Sequence, residues 1–323
     1  MEIKRPTAIS DAHVATPPSR RNFISTAVAS SMCLASGALS AIEPFGRRPR
    51  IRGVGLSAYS LKSKMRWWRG KETQGDVDIL GFLDYCGQLD LDGAELTSYF
   101  FPAPLERSYL NRVRRRAFLQ GLDISGGAIG NNLTHPPGSD AAQAQLEYTQ
   151  LWIDRFADLG APFVRVFAGQ PQAGADRPQV IRNVLANLGV ALAHAERRGV
   201  MLAIENHDFT TNLDDLLQIV EAVDSDWFGI NWDSANLAPT PDPYAELARI
   251  APYAITAQIK VMIRAGGKKV PADFGRLVEI LRAAGYRGYL TLEYEEAEDP
   301  QSAIPKYIKQ LRTALGDATG QDK

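Results

Sequence analysis

The sequence predicts an α/β protein folded as a single (β/α)8 TIM barrel. Three observations carry that expectation. From about residue 53 onward, short apolar runs alternate with longer amphipathic ones, and the alternation repeats eight times. Barrels of this kind commonly run to about 250 residues as one domain, which suits a domain spanning 50–318. Polar residues also gather where the apolar runs end. "VMLAIENHDF" (200–209) passes from five apolar residues straight into Glu205, Asn206, His207 and Asp208.

The elements follow in order. "VGLSAY" (54–59) is the first strand candidate and "VDILGFLDYCGQL" (77–89) the first helix. "GAELT" (93–97) precedes a helix over 105–121, whose basic run Arg112, Arg114, Arg115, Arg116 reads as a solvated face. "LDISGGAIG" (122–130) leads to a helix over 141–160 that Gly160 stops, and "FVRVFAG" (163–169) to one over 179–199 that Gly199 stops. The fifth strand, in 200–209, is followed by a helix over 212–223 with Asn212 as N-cap. "FGINWD" (228–233), "AITAQIKV" (254–261) and "GYLTLEY" (288–294) complete the strands. Helices over 242–251, 272–285 and 302–315 alternate with them. A doubly wound open sheet is the rival arrangement. It calls for a glycine fingerprint after an early strand, and "SGGAIGNN" (125–132) lacks the GxGxxG spacing.

Composition narrows the function. The chain has 323 residues, 45% hydrophobic and 23% charged, with a formal net charge of -1. That balance provides no electrostatic footprint for nucleic acid. The N-terminal segment, 1–45, reads as a disordered leader. Its stretch Ser19, Arg20, Arg21, Asn22, Phe23, Ile24 and the Ala/Ser-rich run after it resemble a twin-arginine signal. The run is too short for a permanent membrane span. The expected partner during export is the Tat translocase, and the expected location is periplasmic or secreted. Export by that route carries folded proteins and favours free sugars over phosphorylated ones. Without Cys33 the mature chain keeps only Cys86, so no internal disulfide is expected.

In a (β/α)8 barrel the site lies at the C-terminal ends of the strands. Reading those ends collects Arg165, Glu205, His207, Asp233, Gln258, Lys260 and Glu293. Glu95 is there too, on a strand whose phase is ambiguous. Carboxylates crowded into one buried mouth repel, and each is driven to bind a proton unless a cation sits between them. Oxygen donors and an amide suit Mn2+, Co2+ or Mg2+.

Glu205 in "AIENH", Asp233 in "NWDSAN", Gln258 in "AQIKV" and Glu293 in "TLEYE" resemble the motifs of the xylose isomerase-like barrel family. The resemblance covers most of the chain after residue 53. The family includes sugar-phosphate isomerases, ketose 3-epimerases, hydroxypyruvate isomerases and several dehydratases. It implies a divalent metal held by Glu205, Asp233, Gln258 and Glu293, with Glu205 and Glu293 as the catalytic pair. Gln258 departs from the family, which has His there. Asn236 departs as well, standing where epimerases of the family often carry a substrate-binding His. Arg264 falls where those epimerases place a substrate-binding arginine.

The implied reaction is proton transfer beside a carbonyl through an enediolate. His207 and Lys260 are expected to steady the oxyanion. Arg165, Arg264 and Asn236 are expected to bind the carbohydrate substrate. Trp67 and Trp68, in "KMRWWRGK", either stack on a sugar face or pack down as a lid. A dehydratase or lyase on an oxidised sugar uses the same first step, and a non-catalytic carbohydrate-binding barrel is the reading from a different class. An apurinic-site endonuclease is excluded, because it needs several zinc-binding histidines and the mature chain has His135, His194 and His207 only. A homo-oligomer is compatible with all of these.

Overall fold

The computed structural model describes residues 51–316. The expected leader with Arg20 and Arg21 therefore lies outside the described residues. Eight parallel strands close on themselves: β1 (Gly53–Ser57), β2 (Gly93–Thr97), β3 (Asp123–Ala128), β4 (Phe163–Val166), β5 (Met201–Glu205), β6 (Phe228–Asp233), β7 (Ala254–Ile259) and β8 (Tyr289–Leu292). Each strand pairs with its neighbours in sequence, and β1 pairs with both β2 and β8. The helices are α1 (Ile79–Gln88), α2 (Arg107–Leu119), α3 (Asp140–Leu159), α4 (Arg177–Arg198), α5 (Leu213–Ala222), α6 (Pro243–Ile250), α7 (Phe274–Ala283) and α8 (Pro300–Leu315). The predicted single (β/α)8 barrel is the observed fold. No helix among the described residues is long and apolar enough to cross a membrane.

Local chemistry explains the boundaries. Every helix but α2 opens on an Asp, Ser or Asn whose side chain accepts a hydrogen bond from a first-turn N–H. Asn212 does so for α5, as expected. Gly160 and Gly199 end α3 and α4 in the left-handed conformation, at φ +82° and +69°. Pro305 lies inside α8 and has no N–H to give to Gln301. The Tyr85 hydroxyl donates to that carbonyl instead, at 3.2 Å.

Two packed layers result. Outward residues such as Leu56, Val164, Ile204, Ile230 and Leu292 are buried under the helices. Trp232 shows that direction directly, since its indole N–H donates to the Leu247 carbonyl of α6 at 2.9 Å. The glycine-rich stretch of β3 serves packing rather than a phosphate. A Cβ on Gly126 would lie 2.0 Å from the Phe163 ring, and one on Gly127 2.4 Å from the Phe156 ring.

Several strands are shorter than their apolar runs. β1 ends at Ser57 and gives way to a 3-10 turn, Ala58–Leu61. β7 and β8 end at Ile259 and Leu292, which leaves Lys260 and Glu293 one residue past the ladder. Two small hairpins were not foreseen: Trp67–Trp68 with Lys71–Glu72, and Met262–Ala265 with Lys268–Pro271. Gly266 and Gly267, both at positive φ, make the tight turn of the second.

The close approach at β3 sets one expectation. Gly126→Ala will destabilise the protein by roughly 1–3 kcal/mol through overpacking. Gly189→Ala, on the open face of α4 with no atom within 4 Å of the new methyl, will stabilise it by about 0.5–1 kcal/mol. Chemical denaturation of both variants measures the difference.

Candidate active site

Strand alternation decides which side chains enter the barrel. On β6, Phe228, Ile230 and Trp232 face the helices, so Asn231 and Asp233 face inward. The same parity puts Glu205 on β5 and Gln258, then Lys260, on β7 into the same space. A contact confirms the direction: Gln258 Nε2 donates to Glu95 Oε1 at 2.7 Å. β7 and β2 are separated by β8 and β1 in the barrel order, so that bond crosses the interior. The phase of Glu95 is thereby settled, and the residue is fully buried.

The mouth is a buried charge network. Arg165 Nε lies 3.0 Å from Glu205 Oε2. Its guanidinium stacks 3.9 Å over the Phe167 ring and donates to the Ile129 carbonyl at 3.1 Å. Asn236 Nδ2 donates to Glu205 Oε1 at 2.9 Å. Lys260 Nζ lies 3.3 Å from Asp233 Oδ2, 3.3 Å from Glu293 Oε1 and 2.8 Å from Glu295 Oε2. Asp233 Oδ1 accepts from the N–H groups of Ala235 and Asn236. Its Oδ2 makes no hydrogen bond.

Backbone bracing holds this end of the sheet. Asn206 is fully buried; its amide donates to the carbonyls of Asp233 and Asn236 and accepts from the Asp233 N–H. Ser234 Oγ accepts from the Lys260 N–H at 2.8 Å. The polar cluster after β5 thus has two tasks: Glu205 enters the site, and Asn206 ties β5 to β6.

Electrostatics follow from burial. Burial pushes the Glu95 carboxyl up to about 7, with Glu293 adding to the rise. Burial also raises Glu205 and Glu293, against the opposing pull of Arg165 and Lys260 respectively. For Lys260 burial acts downward, but Asp233, Glu293 and Glu295 outweigh it and hold the ammonium well above its ordinary value.

The remaining expected site residues divide. Asn236, Lys260, Arg264 and Glu293 line one cavity of about 220 Å3 at the mouth, together with Glu295 and Lys269. Arg264 reaches it from the exposed face of the second hairpin. His207 stacks on Phe167 with ring centroids 4.3 Å apart and pairs with Asp208 through Nδ1 at 3.1 Å, beside the Arg165–Glu205 pair. Trp67 and Trp68 do not line that cavity. Trp68, 39% exposed, packs 5.2 Å from Tyr99 and 5.9 Å from Phe100, over the turn that follows β2. Of the two expected roles, packing down is the one these contacts show.

Glu205, Asp233, Gln258 and Glu293 do converge, but as arranged they do not fit a divalent cation. Glu205 is held by Arg165 and Asn236. Lys260 Nζ stands between Asp233 and Glu293. Both ends of the Gln258 amide are taken, because Oε1 accepts from Asn231 Nδ2 at 2.8 Å while Nε2 donates to Glu95. Among the described residues, no three His, Cys, Asp or Glu side chains are placed to hold a metal ion. Asn231 and Glu295 were missed from the sequence. The period-two pattern of "FGINWD" was the available signal for Asn231; nothing in "EYEE" singled out Glu295.

A closed (β/α)8 barrel with buried carboxylates and cations at its C-terminal mouth defines an enzyme-like class of barrel, and the comparisons specify it. A sequence profile of the xylose isomerase-like TIM barrel family matches residues 83–314, and the chain belongs to that family. A xylose isomerase-like TIM barrel protein from Mycobacterium smegmatis, solved in complex with magnesium, is 20% identical. That match covers 82% of this chain and 98% of the other, with a TM-score of 0.62. The 3-keto-D-glucoside 4-epimerase of E. coli is 18% identical over 77% of this chain and 100% of its own, with a TM-score of 0.59. An L-ribulose 3-epimerase is 18% identical over 84% and 100%, with a TM-score of 0.61. At these identities the likeness is one of fold. No curated protein matches the chain in sequence.

The buried acid at the centre gives a pH expectation. The folded carboxyl of Glu95 titrates at about 7, above its ordinary 4.5. The folded state therefore keeps a proton that the unfolded chain loses. Its burial costs little below pH 4.5, and stability falls as pH rises from there to 7. Glu95→Gln can keep the bond from Gln258 and does not titrate. Its advantage over the wild type is expected to grow across that window, to about 3 kcal/mol at most. Urea denaturation at pH 5, 6, 7 and 8 measures it.

Proposed function

We propose that this protein is a carbohydrate isomerase or epimerase, acting on a free sugar, keto-sugar or related polyol by proton transfer at the carbon beside a carbonyl. The observation that carries the reading is the shared cavity. Glu293, Lys260, Asn236 and Arg264 meet there over a buried acid cluster, and about 220 Å3 is small for a ligand pocket. That size suits a monosaccharide unit. Kinship in fold with two sugar epimerases supports the substrate class. The Arg20–Arg21 leader is part of the same proposal, with the enzyme working in the periplasm or outside the cell.

The steps use charges that the chain itself carries. Burial raises the basicity of the Glu293 carboxylate, which suits it to take the C–H proton near neutral pH. The electron pair moves onto the carbonyl oxygen. Lys260, held charged beside Glu293, donates a hydrogen bond to that oxygen as negative charge develops. Arg264 and Asn236 hold hydroxyl groups further along the sugar. A proton given by Glu205 to the opposite face yields the epimer; return of the proton to the neighbouring carbon, with the hydroxyl proton passing to the former carbonyl oxygen, yields the isomer. Glu205, raised by burial and oriented by Asn236 and Arg165, is the second acid–base group.

Glu293→Gln is expected to lower turnover 10²–10⁴-fold, the usual contribution of a general base. The assay is deuterium incorporation from D2O beside the carbonyl, followed by NMR over a panel of keto-sugars and 3-keto-glycosides. Wild-type protein that binds a sugar yet exchanges no carbon-bound hydrogen would leave a binding barrel in place of an enzyme.

A further inference from the structure

The departure at Gln258 and the position of Lys260 are two sides of one arrangement. Lys260 Nζ sits within 3.3 Å of one oxygen each of Asp233 and Glu293, two of the four residues that the family resemblance assigns to a metal. Its side chain is 9% exposed. Among the described residues it is the sole ion-pair partner of Asp233. Glu295 anchors it from the loop after β8, at 2.8 Å. The residue is fixed from behind as well, because its N–H donates to Ser234 Oγ.

The third assigned ligand, Gln258, has its carbonyl oxygen turned to Asn231 and its NH2 to Glu95. The fourth, Glu205, already faces the guanidinium of Arg165, which Phe167 and the Ile129 carbonyl hold in place. Glu205, Asp233 and Glu293 therefore meet two fixed cations. A dication added beside Lys260 would face the ammonium at close range, and the one neutral group among the four assigned ligands, Gln258, has both ends of its amide engaged.

We infer that the Lys260 ammonium is built into the place of the divalent cation, so that this chain binds no metal there and Lys260 itself is the electrophile of the site. Gln258 acts as a positioning residue. An uncharged amide with a donor and an acceptor can join Glu95 to Asn231 and leave the neighbouring space to Lys260. The electrophilic role rests on the sugar reading above; the exclusion of metal does not.

The test uses the full-length protein, stripped with a chelator and titrated calorimetrically with Mn2+ and with Co2+. The wild type is expected to show no saturable binding up to millimolar metal, and its Tm is expected to be the same in EDTA and in 1 mM Mn2+. The double variant Lys260→Met, Gln258→His removes the ammonium and restores an imidazole. It is expected to take up about one equivalent of Mn2+ with at least a hundredfold gain in affinity.

Should the double variant fail to fold, Lys260→Ala substitutes for it. Its carboxylates then lack their cation, and Mn2+ is expected to raise its Tm while leaving that of the wild type unchanged. One equivalent of Mn2+ bound tightly by the wild type, and lost in Glu293→Gln, overturns the inference. So does a folded double variant that stays silent, because Lys260 would then not be what keeps metal out. None of these readings depends on turnover. A chain inert on every sugar would defeat the functional proposal and leave the metal result standing.

Discussion

The constraint on which the site depends is the burial of several carboxylates inside one barrel mouth. Water has little access to Glu95, Glu205 and Asp233, and reaches Glu293 only where it lines the cavity, so each needs a proton, a donor or a cation. The structure provides all three. Glu95 is poised to hold a proton, Glu205 has Arg165 and Asn236, and Asp233 and Glu293 share Lys260. Removing one partner would leave a buried charge without compensation, so the network stands or falls as a unit.

The scaffold delivers these groups through the pleat and the ends of the strands. Inward parity places Glu95, Asn231 and Gln258 inside the barrel. The ladders of β7 and β8 stop one residue earlier than their apolar runs, and Lys260 and Glu293 are thereby released toward the opening. Asn206 and Ser234 then tie the strand ends to one another through backbone groups, which fixes the separation of the carboxylates they flank. The hairpin Met262–Ala265 with Lys268–Pro271 rises beyond β7 and brings Arg264 to the same cavity.

Family membership and the local departures belong together. A histidine at position 258 would offer a ring nitrogen to a metal, whereas glutamine offers both a donor and an acceptor, and both are used here. Asn236, where a family epimerase often has His, binds Glu205 instead of standing free. Asn236 and Lys260 line the same cavity, and Gln258 stands two residues before Lys260 at the end of β7.

Much of the barrel was legible in the chain itself. The eight-fold alternation, the caps at Asn212, Gly160 and Gly199, and the polar strand ends follow from periodicity and local backbone chemistry, which act over a few residues and survive in a linear reading. The convergence of Glu205, Asp233, Gln258 and Glu293 was legible too, because a closed barrel turns a repeated strand-end position into a common place. What the linear sequence left open was the choice of partner. That Gln258 bonds to Glu95, that Lys260 stands between Asp233 and Glu293, and that Trp68 packs on Tyr99 depend on contacts between residues far apart in sequence. Gln258 and Glu95 lie 163 residues apart, and only closure of the barrel brings an amide and a carboxyl that distant within hydrogen-bond reach. The sequence alone determined the barrel and the set of groups at its mouth; the tertiary structure decided which charge neutralises which, because that follows from distances across the interior rather than from spacing along the chain.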